Sequence, residues 1–182
     1  GHIDHLKALL RIASERGVEV KIHGFADGRD VDPKSAEKYI QQIEEWIKEF
    51  DGEIASLMGR YYSMDRDHNW ERTHKAYQAM AQGQGFQFED PREAVEKAYK
   101  EGEYDYFIQP STKKTYEGMS DDNEVIFYNY RADRERQIEK ELIKQVDPDE
   151  YREPIHPNFT GMYTYQKNQE EKSIFNKKIK KN

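Results

Sequence analysis

Apolar positions in the first third of the chain recur with two different periods. Residues 2–16 and 33–50 carry apolar side chains three and four positions apart, which predicts two amphipathic helices, the second with Pro33 as its first residue. Residues 18–25 alternate between apolar and polar side chains, which predicts a strand, and the shorter mixed run 53–58 is interpreted as another. The predicted order is therefore helix, strand, helix, strand.

The rest of the chain is less regular. Helical spacing recurs in two further segments, 70–80 and 91–99. Residues 104–119 have no clear period and predict a loop with at most one short edge strand. Residues 125–130 are continuously apolar or aromatic at their start, a pattern typical of a strand covered on both faces, so this strand is predicted to be central. A helix that ends near residue 147 and a last strand within 156–165 complete the order.

These elements predict an α/β fold. Strands that alternate with helices pair most simply as parallel neighbours, because each helix carries the chain back to the starting edge of the sheet. We expect a single domain with a layered sheet, at least partly parallel, flanked by helices.

Composition narrows the possible functions. A formal net charge of −7 over 182 residues argues against a general nucleic-acid binder, because affinity for the phosphate backbone requires an excess of Lys and Arg. No apolar run approaches the ~18 residues of a membrane span. The chain has no cysteine, which excludes a disulfide framework and a thiolate metal site and fits a reducing compartment. Cytoplasm is the expected location.

Charged residues follow three of the predicted strands where each strand ends. They are Arg29 and Asp30 after the first strand, Arg60 and Arg66 after the second, and Arg131 and Arg134 after the third. If the strands are parallel, five guanidinium groups and one carboxylate meet at one edge of the sheet. So many cations in an acidic protein predict a multiply charged anionic ligand, which arginine binds through bidentate hydrogen bonds. The alternative is local pairing with neighbouring aspartates, namely Asp27, Asp30, Asp65, Asp67 and Asp133.

Asp30 is the carboxylate of this predicted set. Nearby arginines would lower its pKa, so it could accept a proton from a substrate hydroxyl only as a weak base. The segment 65–68, Asp-Arg-Asp-His, is a poor metal site because an arginine interrupts it and no calcium-loop or zinc spacing is met. No metal ligand is predicted in the chain.

Four segments carry a resemblance to a known family. They read HGFADGRDVDPKSA, GEIASLMGRYYSMDRDHNWERTHKAY, DPREAVEKAYKEGEYDYF and EVIFYNYRADRERQI. Together they resemble the substrate-binding insert of cofactor-independent phosphoglycerate mutase over most of residues 2–165. The GRYYSMDRD and RADR blocks are long and specific.

The resemblance implies a two-domain parent enzyme, an isomerase of glycolysis and gluconeogenesis that interconverts 3- and 2-phosphoglycerate. In the family, an alkaline-phosphatase-like domain carries two Mn ions and a transiently phosphorylated serine, and the inserted domain holds the substrate. The family's substrate contacts carry over onto matching positions in GRD, GRYYSMDRD and RADR, with Asp30 as the catalytic carboxylate. These positions are Arg29, Asp30, Arg60, Arg66, Arg131 and Arg134.

Several family features are missing from the chain. The histidine that precedes the first helix in the family would fall upstream of Gly1, and the serine, lysine and metal ligands of the phosphatase-like domain are absent. We therefore expect residues 1–165 to be the substrate-binding domain, residues 166–182 to be a charged tail that crosses toward the phosphatase-like domain, and the chain alone to be inactive. The alternatives are a freestanding module that binds a phosphorylated ligand and an acidic scaffold whose arginines only pair with neighbours.

Overall fold

The computed structural model describes residues 2–142, 157–163 and 172–175. The helices are α1 (Ile3–Ser14), α2 (Ala36–Phe50), α3 (Arg60–Ser63), α4 (Trp70–Gln82), α5 (Arg92–Lys100) and α6 (Ala132–Leu142), with a 3₁₀ turn at Asp105–Phe107. The strands are β1 (Lys21–Ala26), β2 (Glu53–Gly59), β3 (Phe86–Phe88), β4 (Ser111–Lys113), β5 (Glu124–Phe127), β6 (Asn158–Tyr163) and β7 (Lys172–Phe175). Helices flank sheets that contain parallel pairs, which confirms the predicted α/β class.

The larger sheet has the strand order β1, β2, β4, β3. β1 and β2 are parallel, as predicted, and their carboxyl ends pair at Ala26 and Gly59. β2 is the strand covered on both faces, since every residue from Ile54 to Gly59 is buried. The helices α2 and α5 pack against one part of β2 through a cluster that includes Ile40, Leu57 and Val95. β2 therefore holds the central position that the sequence pattern had assigned to residues 125–130.

The smaller sheet consists of β5, β6 and β7, all parallel. β5 lies at its edge, and Ile126 is 49% exposed, so the prediction of a central strand at residues 125–130 is wrong. A short apolar run shows that a strand forms but not which partners cover it, and β2 is central because the small Ala55 and Ser56 allow close packing. The two sheets meet where Phe25 contacts Phe127, with ring centroids 6.0 Å apart.

Residues 104–119 also differ from the prediction of a loop with an edge strand. β4 lies between β2 and β3, so it is an interior strand, and β3 was not predicted. Both strands have three residues, too few for a period of two to be recognised.

α2 begins at Ala36 rather than Pro33, because a remote carboxylate, Asp105, accepts hydrogen bonds from the backbone at the start of the helix.

Some predictions concern residues outside the described ranges. The continuation of the last helix to residue 147 and most of the 166–182 tail lie there, although β7 falls within that tail and pairs with β6. The last predicted strand, within 156–165, is confirmed as β6. Among the described helices, none combines the length and the apolar composition that crossing a bilayer requires.

Candidate functional site

The first wall of the candidate site consists of the segment 27–30 and Arg60, which follow β1 and β2. These strands are parallel neighbours, so both segments leave the sheet at the same edge. Nη1 of Arg60 lies 2.5 Å from Oδ1 of Asp27 and 2.8 Å from Oδ2 of Asp30. The Arg60 side chain is only 5% exposed. A buried guanidinium thus holds two carboxylates in place at the end of the sheet.

The pKa values of this group reflect the pairing. The hydrogen bond from Arg60 and its positive charge lower the pKa of Asp30, and the charges of Arg131 and Arg29 act in the same direction. Burial alone would lower the pKa of Arg60, but the hydrogen bonds to Asp30 and Asp27 outweigh it and the pKa is raised. Asp30 is therefore ionised at neutral pH, and as a proton acceptor it is weak.

A close backbone approach fixes the shape of the first wall. A Cβ atom on Gly59 would lie 2.1 Å from the carbonyl oxygen of Tyr106, and one on Gly28 would lie 2.7 Å from the amide nitrogen of Tyr106. Gly28 also has a positive φ of 59°, which side-chain-bearing residues rarely adopt. The amide of Gly59 donates a hydrogen bond of 2.8 Å to the carbonyl of Ile108. The segment 104–108 therefore holds both site loops against the sheet.

Asp105 anchors that segment to α2. Its Oδ2 accepts hydrogen bonds of 2.8 Å from the backbone amides of Ser35 and Ala36, and its Oδ1 accepts one of 2.6 Å from the hydroxyl of Tyr99. Asp105 thereby satisfies amides at the start of α2, a task usually performed by the residue that precedes a helix. The sequence offers no local signal for this role, because the partners are far apart in the chain.

The second wall consists of Arg131, Asp133 and Arg134 at the start of α6, together with Arg66. Asp133 accepts a hydrogen bond of 3.0 Å from Nε of Arg131 and one of 2.8 Å from Nη1 of Arg66. These pairs are half-exposed, with Arg66 at 44% and Asp133 at 43%. The arginines of this wall therefore also pair with an aspartate, which is the alternative that the sequence left open, but these ion pairs are in contact with solvent.

Arg134 lies behind this exposed pair. Its Nη1 donates to the carbonyl of Met64 at 3.1 Å, and its Nε has no hydrogen-bond partner among the described residues. Burial lowers the pKa of Arg134, as do the positive charges of Arg66, Arg60 and Arg131. Four arginines are thus close enough to repel one another, which is costly unless negative charge is available.

The segment that carries Arg66 is held by Asp65. This buried carboxylate accepts hydrogen bonds of 3.0 Å from the amide of Asp67, 2.9 Å from the amide of Asn69 and 2.9 Å from Nε2 of Gln137. Burial would raise its pKa, but these hydrogen bonds outweigh it and the pKa is lowered. Asp65 is therefore a positioning residue, a role that the sequence reading did not assign.

The two walls enclose a cleft of about 330 Å³. It is lined by Phe25, Asp27, Asp30, Arg60, Met64, Asn129, Tyr130, Arg131 and Glu135. Of the predicted site residues, Asp30, Arg60 and Arg131 line the cleft, while Arg66 and Arg134 adjoin it. Arg29 is exposed beside Asp30, and no ion pair involves its guanidinium within the described ranges. The arginines come together although β5 and β1 belong to different sheets.

A separate cleft of about 320 Å³ has different chemistry. Its lining includes Tyr61, Tyr62, Lys97, Glu101 and Phe107. Its lysine already forms a 2.8 Å ion pair with Glu101. We therefore place the anion site in the arginine-lined cleft.

Glu135 is a cleft residue that the sequence did not single out. It lies in a run of charged residues, yet its side chain is fully buried. Burial raises its pKa to about 8. A single sequence holds no signal for this, since burial depends on how the sheets and α6 pack together.

Metal binding is not supported by the side chains that the structure describes. Within residues 2–142, 157–163 and 172–175, no three or more His, Asp or Glu side chains converge in a way that could hold a metal ion. The oxygens of Asp65, in the weak metal candidate at 65–68, instead accept hydrogen bonds from protein donors. Charge in the candidate site therefore comes from arginine and aspartate alone.

Comparison with known proteins identifies relatives. A family model described as "BPG-independent PGAM N-terminus" matches residues 1–167. Similar proteins include the 2,3-bisphosphoglycerate-independent phosphoglycerate mutases of Clostridium tetani, 43% identical over 172 residues, and Hydrogenovibrio crunogenus, 43% identical over 175 residues. The matched regions are 91% and 92% of this chain and 34% of each relative. The chain thus spans about one third of the length of these relatives.

A solved structure agrees in fold. Leishmania mexicana phosphoglycerate mutase at low cobalt concentration is similar with a TM-score of 0.79 over 89% of this chain and 32% of that one. Its sequence identity of 23% limits the comparison to the fold. With a family model that matches nearly the whole chain and relatives above 40% identity, the chain belongs to the family of amino-terminal domains of BPG-independent phosphoglycerate mutases.

Proposed function

We propose that this chain is the substrate-clamping domain of a phosphoglycerate mutase and that its cleft binds 2- and 3-phosphoglycerate. The observation that carries the proposal is the meeting of arginines from three distant segments at one cleft in a protein of net charge −7. Arg60, Arg66 and Arg131 pair with three aspartates, and two further guanidiniums lie close by, those of Arg29 and Arg134. The excess of positive charge suits a ligand that carries both a phosphate and a carboxylate.

The two walls would have different roles in binding. Arg60 orients Asp30, and Asp30 accepts a hydrogen bond from a hydroxyl of the glycerate without removing its proton readily. Arg131 and Arg66 exchange their shared partner, Asp133, for phosphate or carboxylate oxygens of the substrate. Arg29 meets the same anion from the opposite rim, and Arg134 adds positive charge from behind.

The bond-making chemistry would lie elsewhere in the parent polypeptide. We assign the phosphorylated serine and two Mn ions of the parent isomerase to a phosphatase-like partner domain, because the described residues offer no metal cluster. Residues 1–165 form the substrate domain in this proposal, and residues 166–182 lead toward the partner. A role in glycolysis and gluconeogenesis implies a cytoplasmic location.

Titration of the chain with 3-phosphoglycerate, followed by NMR, tests the site. We expect a Kd in the millimolar range that weakens with added salt, because an open half-site leaves the anion hydrated and screened. Arg131→Ala should weaken binding about tenfold. Arg16→Ala, which removes an exposed arginine just after the end of α1, is the matched control and should leave binding unchanged.

Three outcomes would contradict the proposal. Unchanged binding in Arg131→Ala would mean that the arginine cluster is not the site. Micromolar affinity of the lone chain would favour a freestanding module for a phosphorylated ligand. In a mutase assay with and without Mn, turnover by this chain alone would overturn the assignment of catalysis to a partner domain.

A further inference from the structure

Glu135 lies at the floor of the cleft without a partner for its charge. It follows Arg134 in the first turn of α6, yet its side chain is 0% exposed. No hydrogen bond of ordinary geometry reaches either carboxylate oxygen among the described residues, although the Asn129 side chain lies close enough to act on the carboxylate. The apolar side chains of Phe25 and Met64 line the same cleft. A buried carboxylate without an ion-pair partner is strongly disfavoured in its ionised form.

The groups around Glu135 do not remove this penalty. Burial is the largest effect and raises the pKa of Glu135 to about 8. The negative charge of Asp133 acts in the same direction. Three groups act against this rise, namely the Asn129 side chain, the amino-terminal charge and Arg60. The other charged or titratable groups around the cleft are Asp27, Asp30 and Arg131, with His5 of α1 against Tyr130 at the rim. Glu135 therefore carries a proton at neutral pH.

The protonation state of Glu135 changes the charge of the whole cluster. Five arginines and three aspartates leave a net charge of +2 around the cleft when Glu135 is neutral and +1 when it is ionised. A negative charge at the floor would also repel an anion at short range through a region of low dielectric constant. Anion binding should therefore depend on a proton that none of the predicted site residues carries.

We propose that Glu135 is an affinity-determining residue of the anion site, which binds its ligand with Glu135 in the neutral form. The inference rests on the proposed function, because it requires an anion in this cleft. Glu135 would act by remaining uncharged, whereas the site residues predicted from the sequence act through their charges.

Sulfate is the probe for the test, because its two charges do not change over the pH range used, whereas those of phosphate esters do. Sulfate titrations at about pH 6 and about pH 9 compare the wild-type chain with Glu135→Gln, which keeps a neutral donor of similar size. Wild-type affinity should fall about tenfold more than that of Glu135→Gln over this range. Every other group of the chain is common to the two proteins, so its effect cancels in the comparison.

Asp133→Asn is the control for charge at an exposed position. It also removes one negative charge near the cleft, but at a half-exposed carboxylate whose pKa is lowered. It should raise sulfate affinity at both pH values and leave the pH profile parallel to that of the wild type. If sulfate affinity is independent of pH in Glu135→Gln but not in the wild type or Asp133→Asn, the pH dependence comes from the buried acid Glu135.

A measurement on the wild type avoids any folding defect of the variants. If protonation of Glu135 favours the anion tenfold, linkage requires sulfate to raise the pKa of Glu135 by about one unit. Carboxyl-carbon NMR of the Glu135 side chain, with and without sulfate, reports this directly. An unchanged pKa with sulfate bound would overturn the inference.

The results also separate this inference from the proposed function. If sulfate binds and Arg131→Ala weakens binding, but wild type and Glu135→Gln have the same pH profile, only the role of Glu135 fails. If sulfate binding is insensitive to Arg131→Ala, or absent, the proposed anion site fails and the inference with it. A steeper wild-type profile together with the raised pKa supports both.

Discussion

The two walls of the cleft contain similar charged residues but are held in different ways. In the first wall, Arg60 is buried and bound to Asp27 and Asp30, and backbone contacts with the segment 104–108 leave no room for side chains at its glycines. In the second wall, Arg66 and Arg131 share Asp133 in contact with water. In the first wall the arginine belongs to the core while Asp30, one of its partners, is 63% exposed, whereas in the second wall both members of each ion pair are at the surface.

This difference determines what each wall can do when a ligand arrives. Exposed ion pairs contribute only ~0–1 kcal/mol, so Arg66 and Arg131 can replace Asp133 with a ligand at small cost. Arg60 cannot give up both of its partners in this way, because its guanidinium is buried and would be left as an uncompensated charge away from water. We infer that the first wall fixes the geometry of the site and the second adapts to the anion.

Among substitutions compared at a single pH, the largest expected effect comes from filling the space behind the first wall. Gly59 has an ordinary φ of −74°, so Gly59→Ala introduces no backbone strain, only a Cβ atom 2.1 Å from the carbonyl oxygen of Tyr106. We expect a loss of about 3 kcal/mol in the free energy of unfolding, because both contacting groups are backbone. Urea denaturation monitored by circular dichroism measures this loss.

Gly102→Ala provides the matched control. Gly102 has a φ of 82° and nothing within 4 Å of its added Cβ, so the cost should be only the backbone strain of about 1 kcal/mol. Equal losses in Gly59→Ala and Gly102→Ala would show that close packing does not hold the first wall.

The second effect concerns the anchor of the segment behind that wall. Asp105→Ala removes the acceptor for the amides of Ser35 and Ala36 and for the Tyr99 hydroxyl, and should cost about 2 kcal/mol. Asp32→Ala, which removes an exposed acceptor for the Lys34 amide, should cost less than about 1 kcal/mol. A larger loss in Asp32→Ala would place the cap of α2 at the position predicted from the sequence.

The pH dependence of stability tests the buried acid on the helix of the second wall. Because the pKa of Glu135 is raised from 4.5 to about 8, the folded state holds a proton that the unfolded state has released between these values. Stability therefore falls as pH rises through this window, by at most about 1.4 kcal/mol per pH unit. Glu135→Gln should lack this fall when urea midpoints are compared at about pH 5 and about pH 8. Parallel curves would mean that Glu135 is ionised when folded.

The smallest effect comes from making the same change in each wall. Asp27→Asn weakens the pairing of a buried arginine and should cost about 1 kcal/mol, whereas Asp133→Asn should cost less than about 0.5 kcal/mol. Sulfate affinity should rise in Asp133→Asn, because Arg66 and Arg131 lose their competing partner. A greater stability loss in Asp133→Asn would reverse the assignment of the rigid and adaptable walls.

Sequence reasoning found the elements that local patterns encode. The alternation in residues 18–25 predicted β1, and the apolar stripe before Phe50 predicted α2. The pairing of β1 with β2 followed from the helix between them, which also placed Arg29 and Arg60 at one sheet edge. These results depend on periodicity and on the geometry of parallel strands, both of which are visible in one sequence.

Features that depend on distant pairing were not found. β4 is interior because it pairs with both β2 and β3, and β5 is an edge strand although its sequence is apolar. The cap provided by Asp105 and the burial of Glu135 also depend on segments distant in the chain. Arg60, Arg66 and Arg131 pair with aspartates, which is the alternative to an anion ligand that the sequence left open, and an excess of positive charge remains beside these pairs.

The hydrogen bond between Asp105 and Ser35 has a consequence for the order in which the chain folds. It joins residues 70 positions apart, so the start of α2 and the loops that contain Gly28 and Gly59 reach their final form only after a long loop has closed. During synthesis, a ribosome would release residues 27–60 well before Asp105 is available to hold them. The anion site is thus expected to be among the last parts of the domain to form. During refolding, the amides of Ser35, Ala36 and Gly59 should become protected from hydrogen exchange at the same time.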